Sequence, residues 1–415
     1  MSDPAKQREF ATDVVRTLRE RGFVAYWAGG CVRDQLLGRT AKDYDVATSA
    51  KPDEVRTVFG RRRTLPIGAA FGVITVVGPQ DAGQIEVATF RQDAAYSDGR
   101  HPDAVTFSTP EEDAQRRDFT INGMFYDPLA QQVIDFVGGR GDLEGNLIRA
   151  IGEPRERFTE DKLRMLRAVR FAAGLDFGLE PATLQAIQEM AAEIRVVSAE
   201  RIAMEMRRML VHAGRARALR LLAEGRLLEH VLPELAALDG RTWQQALDVI
   251  GALAEPSFAL SLAAVLHLAP DPVGVASVLR QRWKLSNKES ERTTWLVMHR
   301  DALQDARAAY WPRLQRVLIA DGIEDLLALH SARAVAGLAA REDVDCCREL
   351  LLLPPEKLNP PPLLTGNDLI EHGVPRGKIF ADLLEKVRDA QLEGRITTKE
   401  EALAFVDELL SGRAG

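Results

Sequence analysis

Apolar residues along the first third of the chain switch between two periods, whereas the remainder keeps one. From Pro4 to Arg21 the apolar positions Phe10, Val14, Val15 and Leu18 recur at helical spacing and stop at Gly22, a residue that ends helices readily. The run Phe23 to Trp27 is short and continuous, as a buried strand requires, and it enters the pair Gly29-Gly30. Val46-Ala47-Thr48 reads as a second strand and Lys51-Pro52-Asp53-Glu54 opens a short helix. The stretches 72–78 and 84–90 read as strands separated by a turn at Pro79 to Gly83. Val133 to Phe136 and Ile148 to Ile151 add short strands around the turn-rich segment Gly138 to Gly145. Past Gly152-Glu153-Pro154 the pattern is helical almost to the end, so the expected fold class is α+β, a mixed sheet with helices followed by an all-helical remainder, with a boundary near residue 150. Within that remainder, Pro181 to Leu353 is rich in Leu and Ala and has no clear repeat. The Pro-rich joint from Leu353 to Pro362 reads as a semi-rigid linker, and three further helices are expected: one beginning at Leu364-Thr365-Gly366, then Gly377 to Glu393 and Thr398 to Leu410.

Composition narrows the class. At 415 residues and 46% apolar content the chain supports several packed modules and not a disordered segment. Its net charge of −7 suggests no general affinity for nucleic acid. A protein that handles one RNA end needs only a local basic surface, and basic residues cluster at Arg61-Arg62-Arg63, at Arg116-Arg117 and between Arg149 and Arg170. Cys31, Cys346 and Cys347 make neither a disulfide framework nor a zinc site, which fits a reducing compartment. No apolar run approaches membrane-spanning length and the first twenty residues lack a signal-peptide core, so a cytoplasmic location is expected.

Three stretches carry chemistry. In the first, Gly29-Gly30-Cys31-Val32-Arg33-Asp34 brings backbone N–H groups and Arg33 together where a phosphate could sit, and Asp43-Tyr44-Asp45 follows closely. On an extended segment Asp43 and Asp45 face the same way, so both carboxylates can reach hard divalent cations such as Mg²⁺. Glu86, between Ile85 and Val87 on a neighbouring strand, points away from the buried face and is a candidate third carboxylate. In the second stretch, Glu111 to Asn122, the pair Arg116-Arg117 suits bidentate phosphate contacts, and Asp118 could hold a sugar or anchor Arg117. In the third, Asp161, Arg164, Arg167 and Arg170 recur every three residues and form a winding stripe on one helix, while Leu163, Leu166, Val169 and Phe171 can face the core. Asp accepts and Arg donates, so Asp161 with Arg164 could meet the donor and acceptor edges of a nucleobase, leaving Arg167 and Arg170 for phosphates.

Each stretch alone has an ordinary explanation: a turn, a salt-bridged helix end, a solvated helix face. Their order and spacing over the first 210 residues resemble the class II tRNA nucleotidyltransferase and bacterial poly(A) polymerase family, and most of all its bacterial CCA-adding branch. The resemblance implies a DNA polymerase β-like nucleotidyltransferase head over 1–150, a helical neck over 151–225, a helical body over 226–353 and a tRNA-binding tail over 354–415. It implies template-independent addition of CCA to tRNA 3′ ends from CTP and ATP, with Asp43 and Asp45 holding two Mg²⁺ ions and Gly30, Arg33 and Arg117 gripping triphosphate or sugar. In the family the Glu-Asp-x-x-Arg motif, here Glu160 to Arg164, selects CTP or ATP, and a block like Ser198 to Ile202 with Glu205 braces that helix. The polar stretch Arg91 to Phe107, with little periodicity, falls where the family has a flexible loop that helps the change from C to A addition. In the tail, Lys378, Lys386 and Arg388 could meet RNA phosphates. His267, where some relatives carry a His-Asp phosphohydrolase domain, lacks an adjacent Asp and reads as a core residue.

Other readings stay open at this level. A poly(A) polymerase or an A-adding tRNA enzyme would share the head and base-reading stretches, and a non-catalytic tRNA-binding protein could keep the scaffold. Retention of Asp43, Asp45 and Arg33 favours an enzyme, and the sequence carries no mark of oligomeric state.

Overall fold

Asp3 accepts the N–H of Ala5 and starts α1 (Pro4–Glu20), whose apolar face of Phe10, Val14, Val15 and Leu18 is buried behind the sheet. The computed structural model describes residues 3–79, 81–93 and 105–411. They fall into two compact units, Met1–Ala237 and Leu238–Gly415.

In the first unit, β1 (Ala25–Ala28) runs through a turn at Gly29 into α2 (Gly30–Leu36), and the chain returns as β2 (Asp45–Thr48). After α3 (Pro52–Phe59) come β3 (Thr64–Leu65), β4 (Val73–Val77) and β5 (Gln84–Thr89). β6 (Arg91–Asp93) and β7 (Val105–Phe107) pair antiparallel with Arg91 opposite Phe107. The ends of the segment expected to lack periodicity thus zip together, and residues 94–104 of that expectation lie outside the described residues. α4 (Pro110–Gln115) begins with a capping box between Thr109 and Glu112. β8 (Phe125–Asp127) and β9 (Gln132–Ile134) complete a seven-stranded sheet of order β3-β4-β5-β2-β1-β8-β9, in which β2 and β5 run parallel and the other pairs antiparallel.

α5 (Gly139–Glu144) forms where only turns were expected. The Asp135 carboxylate collects the N–H groups of Val137, Gly139 and Arg140 and starts the helix. Gly139 lies so close to the Thr120 carbonyl that a Cβ would sit 2.2 Å from its oxygen. β10 (Leu147–Ile148) then pairs with β11 (Gly178–Leu179), so the strand expected over Ile148 to Ile151 is shorter and displaced.

Between these strands stand α6 (Pro154–Glu160) and α7 (Leu163–Leu175), and α8 (Pro181–Met190), α9 (Ala199–Val211), α10 (Arg215–Glu224), α11 (Leu228–Val231) and α12 (Pro233–Ala236) follow. Met165, Leu166 and Val169 of α7 are fully buried, and α7 packs against α9 and α10. The expected single helix carrying Asp161 with the three arginines is interrupted. Asp161 is extended (φ −148°, ψ 104°) between α6 and α7, and its carboxylate accepts the Leu163 N–H at 3.1 Å, so it serves the start of α7 in place of joining it.

In the second unit, helices from Gly240–Ala252 to Arg341–Leu351 surround the buried Phe258–Leu266. His267 is 3% exposed with Nδ1 against the Ala264 carbonyl, a core position as expected. The last three helices, Gly366–Glu371, Ile379–Leu392 and Lys399–Ser411, close over Leu369, Leu383, Val387 and Val406. There Arg388 is engaged by Asn359 Oδ1 and the Pro360 carbonyl, and Lys386 faces Asp382.

Candidate active site

The sheet supplies the acidic side. Tyr44 is buried edge-on to Trp27 with ring centroids 4.8 Å apart, and the alternation of an extended chain turns Asp43 and Asp45 outward on either side of it. Asp45 opens β2 directly beside Glu86 in the parallel ladder with β5. Water reaches the Asp45 side chain, but protein crowds it on the remaining sides. This crowding pushes its carboxyl up to about 6, with Glu86 and Asp43 adding to the rise and Arg117 opposing it. Among the described residues no set of three or more His, Cys, Asp or Glu side chains forms a closed metal cage. Crowded, outward-facing carboxylates without a protein cage fit a hard cation that completes its shell from phosphate oxygens and water.

The turn at Gly29 (φ +74°) brings the backbone close to the second arginine of the Arg116-Arg117 pair, since a Cβ there would lie 3.3 Å from Arg117 Nη1. Arg33, one turn into α2, donates through Nε and Nη2 to Asp34 Oδ1 at 2.8 and 2.7 Å and through Nη1 to Asn122 Oδ1 at 2.9 Å. Arg116 and Arg117 are both held by Asp113 at 2.7 and 2.9 Å. Burial pushes the Asp113 carboxyl up, but the two guanidiniums outweigh it, and the group lies below the usual carboxylate range. Asp118 does not anchor Arg117: it accepts from Arg167 Nε at 2.8 Å and from the Phe119 N–H at 2.8 Å, and it lines the cavity described below.

The helical side carries the nucleobase candidates. Asp161 Oδ2 accepts from Arg201 Nη2 at 2.7 Å. Arg164 donates to Glu160 Oε2 at 2.5 Å and to the carbonyls of Arg157 and Arg116 at 3.1 and 3.3 Å. Three of the five N–H donors of its guanidinium are thus committed and two are left. Arg170 Nε donates to the buried Glu205 at 2.5 Å. Phe171, expected in the core, lies on the site wall, where the guanidiniums of Arg33, Arg167 and Arg170 approach its ring centre at 5.4, 5.4 and 4.0 Å.

Two cavities meet here and share Gly30, Arg33, Asp45 and Phe171 as walls. The first, about 520 Å³, also holds Arg117, Asp161, Arg164 and Arg167, and six guanidiniums against three carboxylates line it. That excess is the local basic surface that the net charge of −7 hides. The second, about 530 Å³, holds Asp43 and Arg170 together with Arg39, Lys42, Arg208 and His212. His212 Nδ1 accepts the Gly214 N–H at 3.0 Å, which leaves the ring proton on Nε2. Burial, then Arg215, Lys42 and Arg39, hold His212 below its usual pKa, so near neutral pH it is an uncharged donor.

Residues 25–149 match the Poly A polymerase head domain family, and residues 176–238 match the probable RNA and SrmB-binding site of polymerase A. The chain is 34% identical over 396 residues to the CCA-adding enzyme of Lactobacillus johnsonii, with 95% of each chain covered. It is 35% identical over 400 residues to that of Geobacillus stearothermophilus, again with 95% of each covered. The crystal structure of the Bacillus stearothermophilus CCA-adding enzyme in complex with CTP superimposes with a TM-score of 0.77 at 32% identity, covering 100% of this chain and 99% of that one.

The chain belongs to the CCA-adding enzyme family. Within this member, sequence reasoning missed Asp113, although it stands three and four residues before the arginines it holds, the spacing at which helical side chains meet. It also missed the cavity-facing position of Arg201 and the wall role of Phe171. Arg39 and Lys42 come from the loop between α2 and β2, and Arg208 and His212 from the end of α9 and its C-cap; each pair is close in sequence, but nothing in the sequence joins the two pairs.

Proposed function

We propose that this protein adds C, C and A to the 3′ end of tRNA from CTP and ATP, without a nucleic-acid template, releasing pyrophosphate. The observation that carries this reading is the position of Asp45 on the border of two basic cavities, one of which also contains Asp161 and Arg164. Cytosine and adenine each present an exocyclic amine beside a ring-nitrogen acceptor, so a carboxylate next to a guanidinium pairs with both. Uracil and guanine present a carbonyl beside an N–H, the reverse order, and meet like groups. Asp161 and Arg164 thus select the base, and the two uncommitted N–H donors of Arg164 suffice for the contact.

Arg33 and Arg117 grip the triphosphate and sugar, with Gly30 leaving room for the phosphates. Arg167 and Arg170, tied to Asp118 and Glu205, keep the cavity walls positive toward phosphate. The second cavity takes the RNA 3′ terminus, where Arg39, Lys42 and Arg208 meet its phosphates and His212 offers a neutral N–H. With the triphosphate on one side of Asp45 and the terminal hydroxyl on the other, attack on the α-phosphorus runs in line with departing pyrophosphate. Asp43 and Asp45 would hold Mg²⁺, which when bound lowers the pKa of the attacking hydroxyl and neutralises charge on the leaving group.

The 1–150 segment acts as the catalytic head, 151–225 as the neck that bears the base-selecting residues, 226–353 as a body and 354–415 as the tRNA-binding tail. Free Cys31, Cys346 and Cys347, and the lack among the described residues of any helix long and apolar enough to cross a membrane, support a cytoplasmic location.

The test is nucleotide incorporation on tRNA transcripts lacking the last three, two or one nucleotides, with CTP, ATP or both, resolved to single additions. Addition of CCA and then a stop is expected. Because the head family is described as that of poly A polymerase, the competing outcome is a long A tail on any RNA, and addition of A only to the CC-ending transcript would mark an A-adding enzyme.

A further inference from the structure

We propose that a third cavity of the first unit is a docking site for one unpaired nucleobase, apart from the two cavities that meet at Asp45. It measures about 990 Å³, against about 520 and 530 Å³ for those two. The start of α1, β1, the end of α2 and the loop before β2 surround it. Tyr44 forms part of its wall, turned away from Asp43 and Asp45 by the alternation of the extended chain, and neither carboxylate lines it.

Two residues of this wall hold a polar atom without a partner. Trp27 is 1% exposed and its indole N–H meets no acceptor among the described residues, and the buried Oε1 of Gln35 meets no donor. Buried polar groups are nearly always paired, so a lone donor and a lone acceptor at one cavity call for a ligand that supplies both. A nucleobase edge does so, with ring nitrogens or carbonyls that accept and N–H groups that donate. The rings suit the same ligand. Trp27 stands edge-on to Tyr44 and 5.5 Å from Tyr126, centre to centre, and both tyrosines line the cavity. The Arg8 guanidinium, itself planar, lies 5.7 Å from the indole centre, with no ion pair or hydrogen bond among the described residues to hold it there. When Arg8 swings aside, a planar base can take its place against the indole, and every base has a face that stacks on an aromatic ring.

Charge separates this cavity from the first. Arg8 and Arg39 are balanced here by Asp3 and Glu9, whereas six guanidiniums face three carboxylates in the first. The uncharged part of a nucleotide suits the balanced wall, and its phosphates suit the basic one. Arg39 and Thr40 line both the third cavity and the second. An RNA strand ending in the second cavity therefore has a neighbouring unpaired base at the entrance to the third, and this source of the base rests on the proposed seat of the RNA end. A free nucleoside is the other source.

The experiment has two arms, both on the full-length protein. In the first, equilibrium dialysis measures binding of labelled adenosine, cytidine, guanosine and uridine, which lack phosphate, to wild type, Asp161→Asn, Gln35→Leu and Trp27→Phe. Binding that survives Asp161→Asn and weakens by about fivefold or more in Gln35→Leu and Trp27→Phe is expected, the scale of one stacked base. In the second arm, gel shifts measure binding of an RNA minihelix with an abasic site at each unpaired 3′ position in turn. One position is expected to weaken wild-type binding by about fivefold or more and to have a smaller effect in the Gln35→Leu/Trp27→Phe pair.

An effect in the second arm makes the ligand a base of the RNA, and an effect in the first arm alone makes it a free nucleoside. No binding of any nucleoside together with no abasic effect overturns the proposal, as does binding that Gln35→Leu and Trp27→Phe leave unchanged. If a Trp27 variant fails to fold, Gln35→Leu alone decides by the same differences. Neither arm measures nucleotide addition, so a negative result here leaves the addition reading standing, and failure of addition leaves these readouts intact.

Discussion

Removing the Asp113 carboxylate takes a buried ion-pair partner from two arginines at once. The residue is 1% exposed, and its two oxygens face Arg116 and Arg117 Nη2 at 2.7 and 2.9 Å. Taking one partner from a buried ion pair costs roughly 3–5 kcal/mol, because the other charge is left without compensation. Here the arginine side chains keep 20% and 19% of their accessibility, so water replaces part of the loss. The low end, about 3 kcal/mol, is the expected cost of Asp113→Ala. For a unit the size of Met1–Ala237 each kcal/mol moves the unfolding midpoint by about 2–4 °C, so the variant should melt about 6–12 °C lower.

The pH dependence of that difference follows from the depressed carboxyl. A group whose pKa is lower folded than unfolded contributes its full stability above the unfolded value of 3.8 and loses it as the pH falls through the folded value. The gap between wild type and variant should therefore stay constant through neutral and mildly acidic buffers and close only in strong acid. In activity, a released Arg117 should raise KM for CTP and ATP together, by about tenfold for a loss of about 1.4 kcal/mol in binding, with the CTP-over-UTP ratio unchanged. Thermal unfolding and steady-state addition on a tRNA transcript read both effects. Wild-type melting together with wild-type KM would refute the reasoning, since it would mean that neither arginine depends on Asp113.

Asp43→Ala and Asp45→Ala, each made singly, should lower turnover by at least about a thousandfold while RNA binding by gel shift stays intact, because on the proposed reading each would remove a ligand for the cation that stabilises transition-state charge. Chelation of divalent cations should abolish addition, and Mg²⁺ or Mn²⁺ should restore it. In the second unit, burial holds His267 and His330 each at about 4. Their unfolded pKa is higher, so stability is full above about 6.5 and lost as the pH falls toward 4, by up to about 3 kcal/mol for each, and urea unfolding at stepped pH measures it. Gly214→Ala would place a Cβ 2.2 Å from the Ala173 carbonyl oxygen at the α7–α10 contact, and should destabilise by about 1–3 kcal/mol in a melting assay.

The parts of the site legible in the sequence are those whose geometry is set within a few residues. Asp43 and Asp45 share a face because an extended chain alternates, and Tyr44 between them is buried for the same reason. The helix stop at Gly22 (φ +85°) and the turn at Gly29 are likewise local matters of backbone conformation. Pairing across distance was not legible. Asp118 adjoins Arg117 in sequence, but neighbouring residues point apart, and its carboxylate reaches Arg167, 49 positions on. Period alone also misplaced Phe171: a helical repeat predicts which face turns from solvent but does not say whether the covering atoms are apolar, and here they include three guanidiniums beside the Phe119 ring.

Asp161 shows why such errors concentrate at the site. Glu160, Asp161 and Lys162 are all tolerated in helices, so the three-residue recurrence of charge reads as one continuous face. An Asp can also satisfy orphan N–H groups at a helix start, and that local competition wins, breaking the chain into α6 and α7. The break takes Asp161 off the α7 stripe, where it would stand one turn from Arg164, and puts its carboxylate at the mouth of the helix within reach of Arg201. A continuous helix would hold the acceptor and donor to i,i+3 spacing. The interrupted one lets the tertiary fold set their separation, and it is this separation that the proposed base contact would use.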